Sequence, residues 1–152
     1  METQLPPDFS AFLSGLSETG AEFLLVGGYA VGFHGYVRVT GDIDLWVRQT
    51  RSNAERVVAA IRAFGFDLPE VAADRFLQDK FIARMGHPPN RIEVMASIDG
   101  VDFASCWERR LIADFDGLPV PVIGLADLRR NKRASGRPKD LLDLVELPHA
   151  PK

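Results

Sequence analysis

The chain has 152 residues, 46% of them hydrophobic, a net charge of −3 and a single cysteine. That length supports one domain with a sizeable core, taken as residues 1–152, and is short for two of ordinary size. The charge excludes a molecule that is basic all over for nucleic acid, and one cysteine excludes an internal disulfide or a cysteine metal cluster. Cys106 reads as a small core residue in a reducing compartment. No apolar run reaches the roughly 20 residues of a membrane span, and the polar, proline-bearing start is not a secretory leader. The expectation is a soluble, cytoplasmic protein with no membrane partner.

In chain order, residues 8–16 carry Phe9, Phe12, Leu13 and Leu16 at helical spacing after Pro6 and Pro7, and Gly20 ends that helix. Phe23–Val26 is a continuous apolar run bounded by glycine, the pattern of a buried strand. Gly27 and Gly28 form a turn that opens a short helix over residues 29–34. Residues 42–48 form the next strand, with Ile43, Leu45 and Val47 on one face and Asp42, Asp44 and Trp46 on the other. Residues 52–64 are helical, with Ser52 as a plausible cap and Gly65 past the end. Residues 74–80 are ambiguous.

Residues 81–85 and 91–96 read as two strands of a hairpin joined by a Gly-His-Pro-Pro-Asn turn. Alternation in the second strand puts Glu93 on one face with Arg91 and Met95. A short helix over 101–109 precedes a hairpin turning at Asp116-Gly117. Helices over 125–134 and 139–147 close the chain, broken at residues 135–138, and the tail is expected to fray. The result is an α+β (α/β-like) architecture, a mixed sheet of four to six strands flanked by helices.

Residues i and i+2 of a strand share a face at roughly 7 Å Cα separation, so Asp42 and Asp44 can converge on divalent cations, with Glu93 from another strand as third acid. Oxygen-only donors suit Mg2+ or Mn2+ rather than zinc. The competing interpretation is a half-exposed strand with two solvated acids. Spacing favours the site: a strand, a glycine pair, a short helix, then Asp-Ile-Asp about fifteen residues on. Gly27 and Gly28 let phosphates approach the backbone. The pattern is neither a Walker loop nor a dinucleotide fingerprint. Arg129, Arg130, Lys132, Arg133, Arg137 and Lys139 lie within eleven positions and make either a local anion site or a solvated helix face. His34, His87 and His149 have no metal spacing, and Trp46 and Trp107 read as core.

The segment VGGYAVGFHGYVRVTGDIDLWV resembles the signature of the polymerase-β-type nucleotidyltransferase superfamily, and in particular its bacterial branch of AbiEii-type toxin nucleotidyltransferases. A looser match covers residues 125–147, LRRNKRASGRPKDLLDL within it. The resemblance implies a polymerase-β-like fold and an NTP substrate. It implies that Gly27 and Gly28 hold nucleotide phosphates and that Asp42 and Asp44 bind Mg2+ or Mn2+. Glu93 would be the third acid, which deprotonates or positions an acceptor hydroxyl, and Lys132 would contact the triphosphate. Asp140 and Asp143 would match the acids of the last motif, and Arg38 and Thr40 would support the loop that brings Asp42 into place. The acceptor could be tRNA, another RNA, a protein or a small molecule, and a cognate antitoxin is a conceivable partner.

This chain departs from the pattern in three ways. Gly28 stands where many members have serine, Glu93 replaces the commoner aspartate, and little chain remains for an acceptor-binding domain. Two other readings stay open: a non-catalytic nucleotidyltransferase-fold module that binds nucleotide or partner, and a sugar-nucleotide glycosyltransferase using Asp-x-Asp.

Overall fold

The computed structural model describes residues 5–66 and 72–149. The chain runs α1 (Pro7–Thr19), β1 (Phe23–Val26), α2 (Gly27–Phe33), β2 (Asp42–Val47), α3 (Arg51–Ala63), a 3-10 helix (Ala73–Leu77), β3 (Ile82–Met85), β4 (Arg91–Met95), α4 (Phe103–Glu108), β5 (Leu111–Phe115), β6 (Leu118–Val122), α5 (Leu125–Ser135) and α6 (Pro138–Glu146). The six strands form one mixed sheet in the order β3-β4-β2-β1-β6-β5, the α+β architecture expected from the pattern.

The sheet centre is apolar because its strands are buried on both faces. All four residues of β1 are at most 3% exposed, and Ile43, Leu45 and Val47 of β2 join them in the core. On one side α1 packs against α3, and its Phe9, Phe12, Leu13 and Leu16 are buried in the core. Gly20 closes α1 at φ 74°, a left-handed residue that lets its N–H and that of Ala21 satisfy carbonyls of the last turn. Asn53 pins the start of α3 to the sheet: its amide donates to the carbonyls of Glu22 and Arg48, and its oxygen accepts from the Glu22 N–H.

Both expected hairpins form, β3–β4 and β5–β6. Asp116 (φ 55°) and Gly117 (φ 88°) both sit in the left-handed region, as a two-residue hairpin turn of matching twist requires. Several boundaries move. The cap of α3 is Thr50, whose hydroxyl accepts from the Asn53 N–H at 3.3 Å, and Ser52 lies inside the helix. Helix α2 begins at Gly27 rather than at Tyr29. The ambiguous stretch is the 3-10 helix followed by a turn, and Asp102 caps α4 by accepting from the Ser105 N–H. The end of the tail, residues 150–152, lies outside the described residues, as does the very start of the chain. Among the described residues no helix is long and apolar enough to cross a membrane.

Cys106 is fully buried, and burial pushes its thiol up to about 12, which leaves it inert. His34 bonds the Ile123 carbonyl at 2.7 Å. Trp46 packs edge-on against Phe103, which stacks with Trp107, so both tryptophans serve the packing.

Candidate active site

Strand register assembles the acidic side of the site. β1 and β2 are antiparallel with Val26 opposite Asp44, so the chain leaving β1 at Gly27 passes directly beside the Asp44 carboxylate. Gly27 has φ 67°, and a Cβ there would overlap Asp44 Oδ2. At Gly28 a Cβ would lie 2.8 Å from Thr40 Oγ1. The glycine pair therefore follows from close approach on both sides, and a serine at position 28 would have to displace Thr40. The Thr40 hydroxyl donates to the Asp42 carbonyl at 3.2 Å, which ties the preceding loop to the start of β2.

β2 and β4 are parallel, with Asp44 opposite Glu93. One carboxylate oxygen from each of Asp42, Asp44 and Glu93 lies within 4.8 Å of the others, close enough to share a cation. The acids are not alike. Arg91, opposite Asp42 in the ladder, grips it bidentately at 2.9 and 3.0 Å, and Arg84 donates to Glu93 at 2.7 Å. Asp44 lacks such a partner, and its Oδ1 is a buried acceptor with no donor. Burial, then the charges of Glu93 and Asp42, push the Asp44 carboxyl up to about 7, against the pull of Lys132. An orphaned buried acceptor amid two further carboxylates fits a divalent cation, which would supply the positive charge the site lacks. Each arginine-bound carboxylate keeps lone pairs for it.

Helices α5 and α6 build the facing wall. Lys132 is 4% exposed, and its Nζ lies 3.1 Å from Asp140 and 3.3 Å from Asp143. Arg38 reaches across from the loop before β2 to bind Asp143 through two hydrogen bonds of 2.9 Å. Asp140 also accepts from Ser135 at 2.6 Å and Arg137 at 2.8 Å. Burial alone would raise the Asp140 carboxyl, but donation from Arg137, Ser135 and Lys132 outweighs it and holds the group well below the usual carboxylate range. Elsewhere the basic run divides. Arg129 binds carbonyls at the end of α6, Arg130 pairs with Asp127, and Lys139 faces the cavity.

The two walls enclose a cavity of about 470 Å³. Gly27, Gly28, Arg38, Thr40, Asp42, Asp44 and Lys132 all line it. Glu93 stands beside the two aspartates at 8% exposure. Asp140 and Asp143 lie behind the wall, where they hold Lys132 and Arg38 in place. Sequence reasoning missed Arg84, Arg91, Ser135 and Lys80 as neighbours of the site, and had Arg137 only as one of the basic run that could make an anion site. For Arg91 a signal existed, since alternation already placed it on the face of Glu93; the others depend on strand pairing and helix docking.

No protein-family model matches the chain, and no curated protein matches it. Among solved structures it is similar to a candidate nucleotidyltransferase from Thermotoga maritima, at 14% identity and a TM-score of 0.58, over 95% of this chain and 94% of that one. At that identity the likeness concerns the fold, so the chain has a nucleotidyltransferase-like fold with a carboxylate cluster suited to a divalent metal.

Proposed function

We propose that this chain is a metal-dependent nucleotidyltransferase that moves a nucleoside monophosphate from an NTP to a hydroxyl acceptor and releases pyrophosphate. One observation carries the reading: three clustered carboxylates, one with an unpartnered buried oxygen, face a cationic wall across a cavity. Asp42, Asp44 and Glu93 would hold Mg2+ or Mn2+, which when bound neutralises phosphate charge during the transfer.

The remaining work falls to the chain. Gly27 and Gly28 line the cavity beside Asp44 and Thr40, where phosphate oxygens would approach the backbone, and Thr40 and Arg38 hold the loop that presents Asp42. Glu93 orients the acceptor hydroxyl and takes its proton as the oxygen bonds to the α-phosphorus. The bond from that phosphorus to the bridging oxygen breaks, and pyrophosphate leaves against the charge of Lys132. Asp140 and Asp143 act through the cations they hold. Such catalysis is mostly positioning and charge stabilisation. The toxin-like resemblance extends the reading to a toxin–antitoxin pair in a bacterial cytoplasm, with tRNA, a protein or a small molecule as acceptor.

Replacing both aspartates, Asp42→Ala with Asp44→Ala, abolishes Mg2+-dependent NTP binding in calorimetry while the circular dichroism stays native. Unchanged NTP affinity in that variant sinks the assignment. A second reading is favoured by the arginines already bound to Asp42 and Glu93, which make those acids poorer metal ligands: a non-catalytic module that binds nucleotide or a partner protein. Incubation with labelled NTP, Mg2+ and mixed RNA and protein acceptors separates the two, since only the enzyme transfers label.

A further inference from the structure

Among the described residues two that are not glycine hold a left-handed backbone, Lys80 at φ 68° and Asp116 at φ 55°. Asp116 is accounted for by its hairpin turn, where aspartate is a favoured residue. Lys80 also sits in a turn, third of the four residues Gln78–Phe81 that the Phe81 N–H closes on the Gln78 carbonyl at 3.4 Å, but glycine or asparagine is the usual residue there and the Cβ of a lysine crowds the backbone. Strain of this kind persists only where the surroundings impose it, and it collects at functional sites.

The surroundings are specific. The Lys80 N–H donates to Ser97 Oγ at 2.7 Å, which locks the turn between the 3-10 helix and β3 onto the end of β4. The β3–β4 ladder pairs Ile82 with Met95 and Arg84 with Glu93, and Lys80 stands two residues before it, held to Ser97. Lys80 lines the same cavity as Asp42, Asp44 and Lys132.

The charges then narrow the choice to two lysines, of which only Lys80 has the left-handed backbone. Of the cations lining that cavity, Lys132, Arg38 and Arg137 already bind Asp140 or Asp143. Arg84 and Arg91 at its acidic side are bound to Glu93 and Asp42. Lys80 has no carboxylate partner among the described residues, and Lys139 likewise has none. An incoming polyphosphate meets its free positive charge there. Resting on the nucleotide reading above, we infer that Lys80 binds phosphate oxygens of the nucleotide, and that its left-handed backbone is the strain that aims it into the cavity.

Two substitutions separate the charge from the backbone. Lys80→Ala removes the ammonium and keeps the strain, whereas Lys80→Gly removes both. Calorimetric titration of the full chain, with Mn2+, uses each of the four NTPs and inorganic tripolyphosphate as probes. Both variants are expected to weaken NTP and tripolyphosphate binding alike, by about tenfold, and Lys80→Arg to stay near wild type. Thermal denaturation should show Lys80→Gly melting about 2 °C above Lys80→Ala.

Affinities in Lys80→Ala and Lys80→Gly equal to wild type overturn the assignment alone. So does a loss for NTPs that spares tripolyphosphate, which puts the contact away from the phosphates. A Lys80→Gly melting point no higher than that of Lys80→Ala overturns the role of strain. Failure of the wild-type chain to bind either probe overturns the nucleotide reading itself, and the Lys80 assignment with it.

Discussion

The two walls of the cavity treat the same side chain in opposite ways. Asp140 is fully buried yet held ionised, because Arg137, Ser135 and Lys132 donate to it; Asp44 is half-buried and pushed toward its neutral form, because burial and two further acids surround it. The α5–α6 wall is a polar network in which the buried carboxylates find their donors. The sheet wall leaves Asp44 Oδ1 without one. A satisfied cluster holds a shape, and an unsatisfied one holds a place for something that arrives.

Breaking the satisfied wall should have the largest effect. Asp140→Ala leaves Lys132 buried with only Asp143 and frees Arg137 and Ser135, at a cost of about 3 kcal/mol in urea denaturation. The pH dependence has a definite sign. The folded Asp140 carboxyl titrates below its unfolded value, so its stabilisation is present above about pH 4 and is lost as pH falls below it. Asp140→Asn should flatten that acid limb, and an unchanged acid limb would show that the network adds nothing to stability.

The next effect is at the seam between β1 and β2. Gly27→Ala combines a left-handed backbone with a collision against Asp44, and about 2 kcal/mol of lost stability is expected. In an Asp44→Gly background the collision disappears and only the backbone cost of about 1 kcal/mol should remain. A double-mutant cycle that shows simple additivity would contradict the close approach.

The smallest effect runs the other way. In metal-free protein Asp44→Asn should raise stability at pH 8 by about 1 kcal/mol, because it relieves repulsion within the triad. Here the folded carboxyl lies above its unfolded value of 3.8, at about 7, so its contribution is full below pH 4 and is lost as pH rises to about 7. The variant should lack that slope and bind Mn2+ weakly. A destabilised Asp44→Asn protein would mean that the sheet wall, too, is satisfied.

Most of the elements were legible because burial leaves a period in the residues. Phe9, Phe12, Leu13 and Leu16 announce α1, and Asp116-Gly117 announces a turn whose backbone few other pairs adopt. Misplaced boundaries had local causes: Thr50 and Ser52 are both competent caps, and which of them starts the helix depends on how the chain leaves β2. In the site, Asp42, Asp44, Gly27 and Gly28 stood out because each pair is a local pattern, an alternating strand and a glycine turn after an apolar run; the β1–β2 pairing then sets Gly27 beside Asp44. The partners did not stand out. Arg84 and Arg91 looked like ordinary strand arginines until the ladder set them opposite Glu93 and Asp42.

The sequence by itself determined the sheet-and-helix alternation, the shared face of Asp42 and Asp44, and the glycine turn before them, since each depends on neighbours within a few residues. Only the tertiary structure decided that Glu93 joins those aspartates and that Lys132 and Arg38 are bound to Asp140 and Asp143. It also decided that Lys80 faces the same cavity. These depend on strand order and helix docking between segments far apart in the chain, and on a carboxylate's charge state, which is set by whatever packs around it.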